Sequence, residues 1–119
     1  MTTAIKDFAE KYSRSGVSRL HMPGHKGAPM HGLEPLDLTE IKGADFLYDP
    51  DGIILSSELK TSAAYGSAMT AYSAEGSSLS IKSALSIIRQ YLGKNITVAA
   101  PRNCHRAFLN GCALLDVDV

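Results

Sequence analysis

The sequence is poor in features that mark several classes of protein. It has no tryptophan, and aromatic residues make up only 7% of its 119 positions. No hydrophobic run is long enough to cross a membrane, and the N-terminus lacks the apolar core of a secretory signal. The formal net charge is zero, with twelve basic residues scattered among twelve acidic ones, so no polyanion-binding surface is indicated. We therefore expect a cytoplasmic protein that binds neither membranes nor nucleic acids.

Cysteine is also scarce. Cys104 and Cys112 lie on one predicted helix, where eight residues correspond to about 12 Å of rise. That separation is too large for a disulfide. Two reduced thiols, typical of the cytosol, are therefore expected. The length fits one domain or the opening part of a larger protein.

Helices are predicted from hydrophobic periodicity and from capping residues. The predicted helices lie at residues 3–13, 57–65, 78–91 and 104–114. The first and third carry the clearest apolar stripes, and Ser57 is predicted to cap the second. Between residues 19 and 35, dense glycine and proline predict an irregular loop.

Three apolar segments between or after these helices are predicted to be strands. They are residues 69–74, 96–100 and 117–119. Strands that alternate with helices predict an α/β fold, with right-handed βαβ units on a parallel sheet. A sheet of three short strands has exposed edges and would be marginal alone, so we expect the chain to be a fragment of a larger domain.

The junction Gly76-Ser77-Ser78 is the first candidate site. It precedes the clearest predicted helix, and a helix N-terminus has unpaired N–H groups and a partial positive charge that attract anions. Gly76 would let the backbone approach a ligand closely. The two hydroxyls can either cap the helix or hydrogen-bond a phosphate, and the residues alone leave both interpretations open.

His105 is the second candidate. The C-terminal ends of neighbouring parallel strands lie side by side, so the loop of residues 101–106 would face the same crevice as the Gly76–Ser78 junction. An imidazole there can stack on a planar cofactor, act as an acid or base, or cap the helix that follows. The local sequence does not choose among these roles.

Other chemistry-bearing residues form weaker patterns. His21 and His25 are four residues apart, but Pro23-Gly24 between them prevents the helix that would align them on a metal. The acidic residues between positions 37 and 51 are typical of a solvated surface. The sequence has no Walker A lysine after the Gly-Ser-Ser junction and no G-x-G-x-x-G. Neither a metal site nor a nucleotide-binding signature is predicted.

Taken together and in order, the motifs from about residue 19 to residue 119 resemble those of the Orn/Lys/Arg decarboxylase family of pyridoxal-phosphate (PLP) enzymes. The first, similar to an HMPGHKG opening, is Leu20-His21-Met22-Pro23-Gly24-His25-Lys26-Gly27. The others are Asp37-Leu38-Thr39-Glu40, Gly43-Ala44-Asp45-Phe46-Leu47-Tyr48, Asp51-Gly52-Ile53-Ile54, Ala63-Ala64-Tyr65-Gly66-Ser67, Gly76-Ser77-Ser78 and Arg102-Asn103-Cys104-His105-Arg106. The ordered set is far more specific than any one motif.

The resemblance implies a fold and a cofactor site. The fold is aspartate-aminotransferase-like, with residues 1–35 as an N-terminal helix and irregular arm. Residues 36–119 would begin the three-layer, PLP-binding large domain. By resemblance, the PLP phosphate is held by Gly76, Ser77 and Ser78, and His105 stacks on the pyridine ring. Ser77 replaces the threonine of many relatives and keeps its hydroxyl.

The resemblance also implies a reaction. It is decarboxylation of ornithine, lysine or arginine to a polyamine precursor, by a homodimer or higher homo-oligomer when full length. The family's cofactor lysine follows its stacking histidine, whereas Lys26 precedes His105, so no catalytic residue is predicted here and the chain alone is expected to be inactive. Another PLP enzyme, such as an aminotransferase or lyase, and a non-catalytic phosphate-binding remnant remain the alternatives.

Overall fold

The computed structural model describes residues 3–93 and 95–119, and this part of the chain is helical. Its α-helices are α1 (Ala4–Ser13), α2 (Ile53–Tyr65), α3 (Gly76–Leu92) and α4 (Arg106–Leu115), with a 3₁₀ turn at Glu34–Leu36. The chain divides into two compact units, unit 1 (Met1–Tyr72) and unit 2 (Ser73–Val119). The domain boundary predicted between residues 35 and 36 stays a prediction.

The predicted α/β fold, a partial three-layer PLP-transferase-like domain with parallel βαβ units, is wrong. In residues 3–93 and 95–119 the sheet-type pairing is limited to one parallel bridge between Thr97 and Asp118. The Val98 amide donates to the Asp118 carbonyl at 2.9 Å, and the Asp118 amide donates to the Ile96 carbonyl at 3.3 Å. Two of the three segments predicted as strands meet there, but a stable sheet needs at least about three strands with continuous ladders. The described chain therefore has an all-helical fold.

Helix α1 confirms the prediction for residues 3–13. Thr3 occupies the N-cap, and its hydroxyl accepts a hydrogen bond from the Lys6 amide at 3.3 Å, which satisfies one unpaired donor of the first turn. Its apolar side chains, among them Ile5 and Phe8, line a groove that α1 forms with the start of α2 and residues 36–40. Ile5 and Phe8 are half-buried there, and this partial burial stabilises a helix that is only ten residues long.

Helix α2 begins four residues earlier than predicted, because a distant carboxylate caps it. Asp45 Oδ2 accepts hydrogen bonds from the amides of Gly52 and Ile54 at 2.9 and 2.8 Å. Its Oδ1 accepts from the amides of Phe46 and Asp51 at 2.8 and 3.0 Å. The prediction that Ser57 caps this helix is wrong.

Ser57 instead lies within the second turn of α2, where it is buried. Its hydroxyl is 2.9 Å from the phenol oxygen of Tyr72, which is also 2.7 Å from the hydroxyl of Thr61. The buried carboxylate of Glu58 accepts from the Tyr72 amide at 2.7 Å. These contacts fasten the end of unit 1 to α2.

The Asp45 cap gives a testable pH dependence. Desolvation opposes ionisation of this carboxyl, but hydrogen bonds from the amides of Asp51, Phe46, Ile54 and Gly52 outweigh it and lower the pKa of Asp45. A lowered folded-state pKa means that the stabilisation is complete above the ordinary aspartate pKa of about 3.9 and is lost as pH falls through the folded value. The protection factors of the amides in α2's first turn, which correct for the pH dependence of exchange in an unstructured chain, should therefore stay constant through mild acid and fall at lower pH.

Two variants make that measurement specific. Asp45→Asn, which keeps only one acceptor oxygen, should expose the first-turn amides at all pH values and abolish the acid transition. Asp49→Asn, a change at an exposed neighbouring carboxylate, should leave the exchange profile unaltered. An identical profile for wild type and Asp45→Asn would contradict the capping role.

Unit 2 is held together by a small core between α3 and α4. Its buried apolar side chains are Leu85, Ala107, Cys112 and Val117. The two helices approach closely at Gly111, where an added Cβ would lie 2.8 Å from Leu85 Cδ1. Cys104 lies in the loop before α4 rather than on it, so the helical spacing assumed for the two cysteines is wrong, although both thiols are free.

Candidate functional site

The N-terminus of α3 carries the Gly-Ser-Ser junction. Glu75 occupies the N-cap position, and no side chain of the described residues caps the helix. Gly76 has a φ of +67°, a left-handed conformation that glycine adopts without strain. Apart from its chain neighbours and the backbone of its own helix, no described residue has an atom within 4 Å of the position where a Cβ would stand. The amides of the first turn are thus left for a partner outside the helix.

The hydroxyls of Ser77 and Ser78 also lack hydrogen-bond partners among the described residues. Neither Ser77 Oγ nor Ser78 Oγ has a hydrogen bond to any residue in the described ranges 3–93 and 95–119. Ser77 is exposed and Ser78 is half-buried. The partial positive charge of a helix N-terminus favours an anion here, while the nearby carboxylate of Glu75 reduces that attraction. The arrangement can bind one small anion through amides and hydroxyls together.

His105 is the N-cap residue of α4. Its Nδ1 accepts a hydrogen bond from the Ala107 amide at 3.1 Å, which places the ring proton on Nε2. The side chain is otherwise exposed. Helix capping, one of the three roles considered for His105, is therefore present. The hydrogen bond fixes the orientation of the imidazole and leaves its Nε2–H accessible.

The structure places both candidates in unit 2, at the starts of two helices that pack against each other. It does not place them on the edge of a parallel sheet, because the described residues form no sheet. The expected sheet-edge crevice is therefore wrong. The cofactor roles of Gly76, Ser77, Ser78 and His105 stay predictions.

The loop of residues 19–35, which contains three histidines, lies in unit 1. Polar contacts hold His21 of this loop against α1. The Tyr12 hydroxyl is 2.8 Å from His21 Nε2, and His21 Nδ1 lies against the Met22 carbonyl. Because a carbonyl can only accept, Nδ1 carries the proton and Nε2 accepts from Tyr12. The Lys26 ammonium donates to the His21 carbonyl.

His25 has the opposite tautomer. Its Nδ1 accepts from the Gly27 amide at 3.0 Å, so its Nε2 carries the proton and donates to Asp37 Oδ2 at 3.2 Å. The two histidines therefore make separate sets of hydrogen bonds. In the described residues, no group of three or more His, Cys, Asp or Glu side chains is arranged to hold a metal.

Arg19 was missed by sequence reasoning, although it organises this loop. Its guanidinium donates to the Pro35 carbonyl at 2.6 Å and lies 5.2 Å from the centre of the Tyr12 ring. A Cβ at Gly27 would come within 2.5 Å of Arg19 Nη1. The close packing explains glycine at position 27, but the sequence alone, with two further glycines between residues 19 and 35, gave no signal for Arg19.

Comparison with known proteins gives weak but consistent similarities. The Bacillus subtilis protein named "Uncharacterized protein YaaO" is 25% identical over 96% of this chain. Proteins named arginine decarboxylase from Bacillus cereus and Halalkalibacterium halodurans are 26% and 28% identical, over 84% and 83% of this chain. The chain spans 25%, 23% and 22% of the length of these three relatives, respectively. It is thus similar to one part of each of these proteins, two of which are named arginine decarboxylase.

Two broader comparisons add no family or fold. No protein-family model matches the chain, and no solved structure matches it. Among the described residues, no helix is both long enough and apolar enough to span a membrane.

Proposed function

We propose that this chain is the part of a PLP-dependent decarboxylase of basic amino acids that binds the cofactor phosphate. Arginine is the substrate that we favour, because the similar curated proteins are named arginine decarboxylase. The observation that carries the proposal is the uncapped N-terminus of α3, with its two hydroxyls that lack partners among the described residues. The whole reaction belongs to the longer protein, and the free thiols of Cys104 and Cys112 fit a cytoplasmic location.

The residues of this helix start fit a phosphate ester. A phosphate offers several strong acceptor oxygens, and the first turn of α3 offers amide donors together with the Ser77 and Ser78 hydroxyls. The open space beside Gly76 lets the ester approach the backbone. PLP, once held, supplies an electron sink for reactions at the amino-acid Cα. The role of Gly76, Ser77 and Ser78 is to anchor its phosphate.

His105 is assigned the second contact with the cofactor. The hydrogen bond from the Ala107 amide to Nδ1 fixes the imidazole, so the ring can orient a planar pyridine by stacking without a large loss of side-chain entropy. His105 does not transfer a proton in this proposal. It acts as a positioning surface at the start of α4.

A titration that compares PLP with pyridoxal tests the phosphate anchor directly. In amide-resolved NMR spectra of the 119-residue chain, PLP should shift the amides of Gly76, Ser77 and Ser78. Pyridoxal lacks the phosphate, so the dissociation constant obtained from the same amide shifts should be at least about tenfold higher than for PLP. Inorganic phosphate is the third ligand, and it should shift the same amides without affecting His105.

The outcomes separate a PLP-binding protein from a remnant that binds phosphate alone. Shifts with inorganic phosphate but none specific to PLP would indicate a non-catalytic phosphate-binding remnant. Equal shifts with PLP and pyridoxal, or shifts confined to other parts of the chain, would reject the phosphate anchor.

A further inference from the structure

Lys82, in the second turn of α3, is a half-buried cation. A Cβ at Gly111 would lie 3.4 Å from Lys82 Cγ and 3.7 Å from Lys82 Cα, so the stem of this lysine lies in the seam between α3 and α4. Its ammonium has no ion pair and no hydrogen bond with any residue in the ranges 3–93 and 95–119. Because lysine is almost never buried without a partner, the ammonium must extend out of the seam to water or to an anion.

The N-termini of α3 and α4 lie at the same end of unit 2. Residues 96–98 return along α3 and residues 117–119 return along α4, because both segments pack against the core of the unit. A parallel bridge joins Thr97 to Asp118, so the two segments run in the same direction. The two helices therefore also run in the same direction, and His105 at the start of α4 lies at the same end of the unit as the Gly-Ser-Ser junction.

The position of Lys82 on α3 directs its side chain toward that end. Lys82 follows Ser78 by four residues, so the two side chains lie on one face of α3, about one turn of 5.4 Å apart. Long side chains on a helix point back toward its N-terminus, and the flexible four-carbon stem of lysine is long enough to span such a turn. The Lys82 ammonium can therefore reach the Ser78 hydroxyl and the amides of the first turn.

The anion site at the start of α3 needs a full positive charge. A helix dipole supplies only about half an elementary charge, and the carboxylate of Glu75 lies at the same helix start. A phosphate monoester such as that of PLP carries a charge of about −1.5 to −2 at pH 7. Amides and hydroxyls alone thus leave this charge uncompensated. Arg106 is less well placed than Lys82, because it lies about 140° around α4 from Gly111, which faces α3.

We propose that Lys82 is a further ligand of the cofactor phosphate, and that its ammonium pairs with the phosphate oxygens bound by Ser77, Ser78 and the α3 amides. This role depends on the proposed function, because it requires PLP at the start of α3. Lys82 offsets the charge of Glu75 and favours the dianionic form of the phosphate. The contact is electrostatic, so position 82 requires a cation that can extend along the seam rather than a lysine as such.

Removal of the charge at position 82 tests this role in the full 119-residue chain. Lys82→Met keeps an unbranched apolar stem against Gly111 and loses the ammonium. The dissociation constant for PLP, obtained from the amide shifts of Gly76, Ser77 and Ser78, should rise at least about tenfold. The constant for inorganic phosphate, which does not react with amines, should rise similarly, while that for pyridoxal should not change. Lys82→Arg keeps the charge and should bind PLP within about threefold of wild type.

Phosphorus NMR provides a readout that a purely structural role would not change. The second pKa of a phosphate monoester is about 6, and a neighbouring ammonium favours the dianion and lowers this pKa. The pKa of PLP phosphate bound to wild type should therefore lie below that of PLP phosphate bound to Lys82→Met. Glu75, His105 and the arginines of residues 102–106 are kept in every variant, so their contributions to the titration are the same.

Lys60→Met is the matched control, because it removes the same charge from an exposed position of α2 in unit 1. It should bind PLP and inorganic phosphate like wild type. Lys82→Met and Lys60→Met should both keep the circular dichroism spectrum and the denaturation midpoint of wild type, since neither change removes a contact of the apolar core.

The outcomes distinguish the role of Lys82 from the phosphate anchor itself. If wild type binds PLP no more tightly than pyridoxal, the anchor is rejected and Lys82 with it. If wild type prefers PLP and Lys82→Met binds PLP equally well, the anchor stands and Lys82 is not part of it. Three further results would assign Lys82 to helix packing instead: an equal loss of PLP and pyridoxal affinity, a loss that Lys82→Arg does not restore, or a lower denaturation midpoint of Lys82→Met.

Discussion

Replacing Leu85 with alanine is expected to lower the free energy of unfolding of unit 2 by about 2–5 kcal/mol. Leu85 is 4% exposed and packs with Cys112 and Val117 in the core of this unit. Alanine removes most of the apolar side chain and leaves a cavity beside Gly111 of helix α4. Complete domains have free energies of unfolding of about 5–15 kcal/mol. The expected loss is therefore a large fraction of the stability that a unit of this size can have.

Hydrogen exchange is the appropriate measurement, since it resolves the two units separately. The Val117 amide donates to the Cys112 carbonyl at 2.9 Å, just beyond the end of α4. The protection of this amide should fall by about thirtyfold or more in Leu85→Ala. Leu92→Ala is the matched control on the same helix. Its side chain is 63% exposed, so the change should cost no more than about 0.5 kcal/mol. Equal losses in the two variants would show that the Leu85 core does not hold unit 2 together.

The helices of this protein were predictable where a local pattern specified them. Helix α1 follows the apolar spacing of residues 3–13, and α3 follows the stripe of residues 78–91, within two residues of the predicted ends. Helix α2 shows the limit of such reasoning. Its cap comes from Asp45, which lies seven residues before Gly52 in the chain. Capping residues are predicted from the positions directly next to a helix start, so a carboxylate this far away is not considered.

The sheet was not predictable, because strand formation depends on partners that a local pattern does not contain. Residues 96–100 form a continuous apolar run, which is typical of a buried parallel strand. An apolar run of this kind predicts that the segment is buried. It does not show whether neighbouring strands are present to pair with its amides and carbonyls. With one bridge at Thr97 and Asp118 among the described residues, the run forms no ladder, although Ile96 and Val98 pack against the core of unit 2.

The candidate site was predictable in position but not in geometry. A glycine followed by two serines before an apolar stripe indicates a helix start, and α3 does begin at Gly76. The unpartnered state of the hydroxyls depends on the rest of the fold and required the structure. For His105, the sequence left capping and stacking open, and the structure shows the cap. The ring contact with a cofactor is untested.

The second large effect is expected at that helix start. Replacing Ser77 and Ser78 together with alanine should weaken PLP binding by about 10- to 100-fold, because two hydrogen bonds to a charged phosphate are removed. Affinity for pyridoxal should not change, since it has no phosphate to lose. NMR or fluorescence titration of the 119-residue chain with both ligands measures the two affinities under the same conditions.

Stability and affinity should separate in this variant, and that separation distinguishes an anion site from a helix cap. A capping serine replaced by alanine costs about 0.5–2 kcal/mol of stability, but neither hydroxyl caps α3 among the described residues. Ser77→Ala with Ser78→Ala should therefore unfold within about 0.5 kcal/mol of wild type. The control, Ser80→Ala with Ser83→Ala, makes the same chemical change at exposed positions farther along α3 and should alter neither quantity. A double variant that loses stability while keeping its PLP affinity would assign the two serines to the helix and remove the phosphate site from this protein.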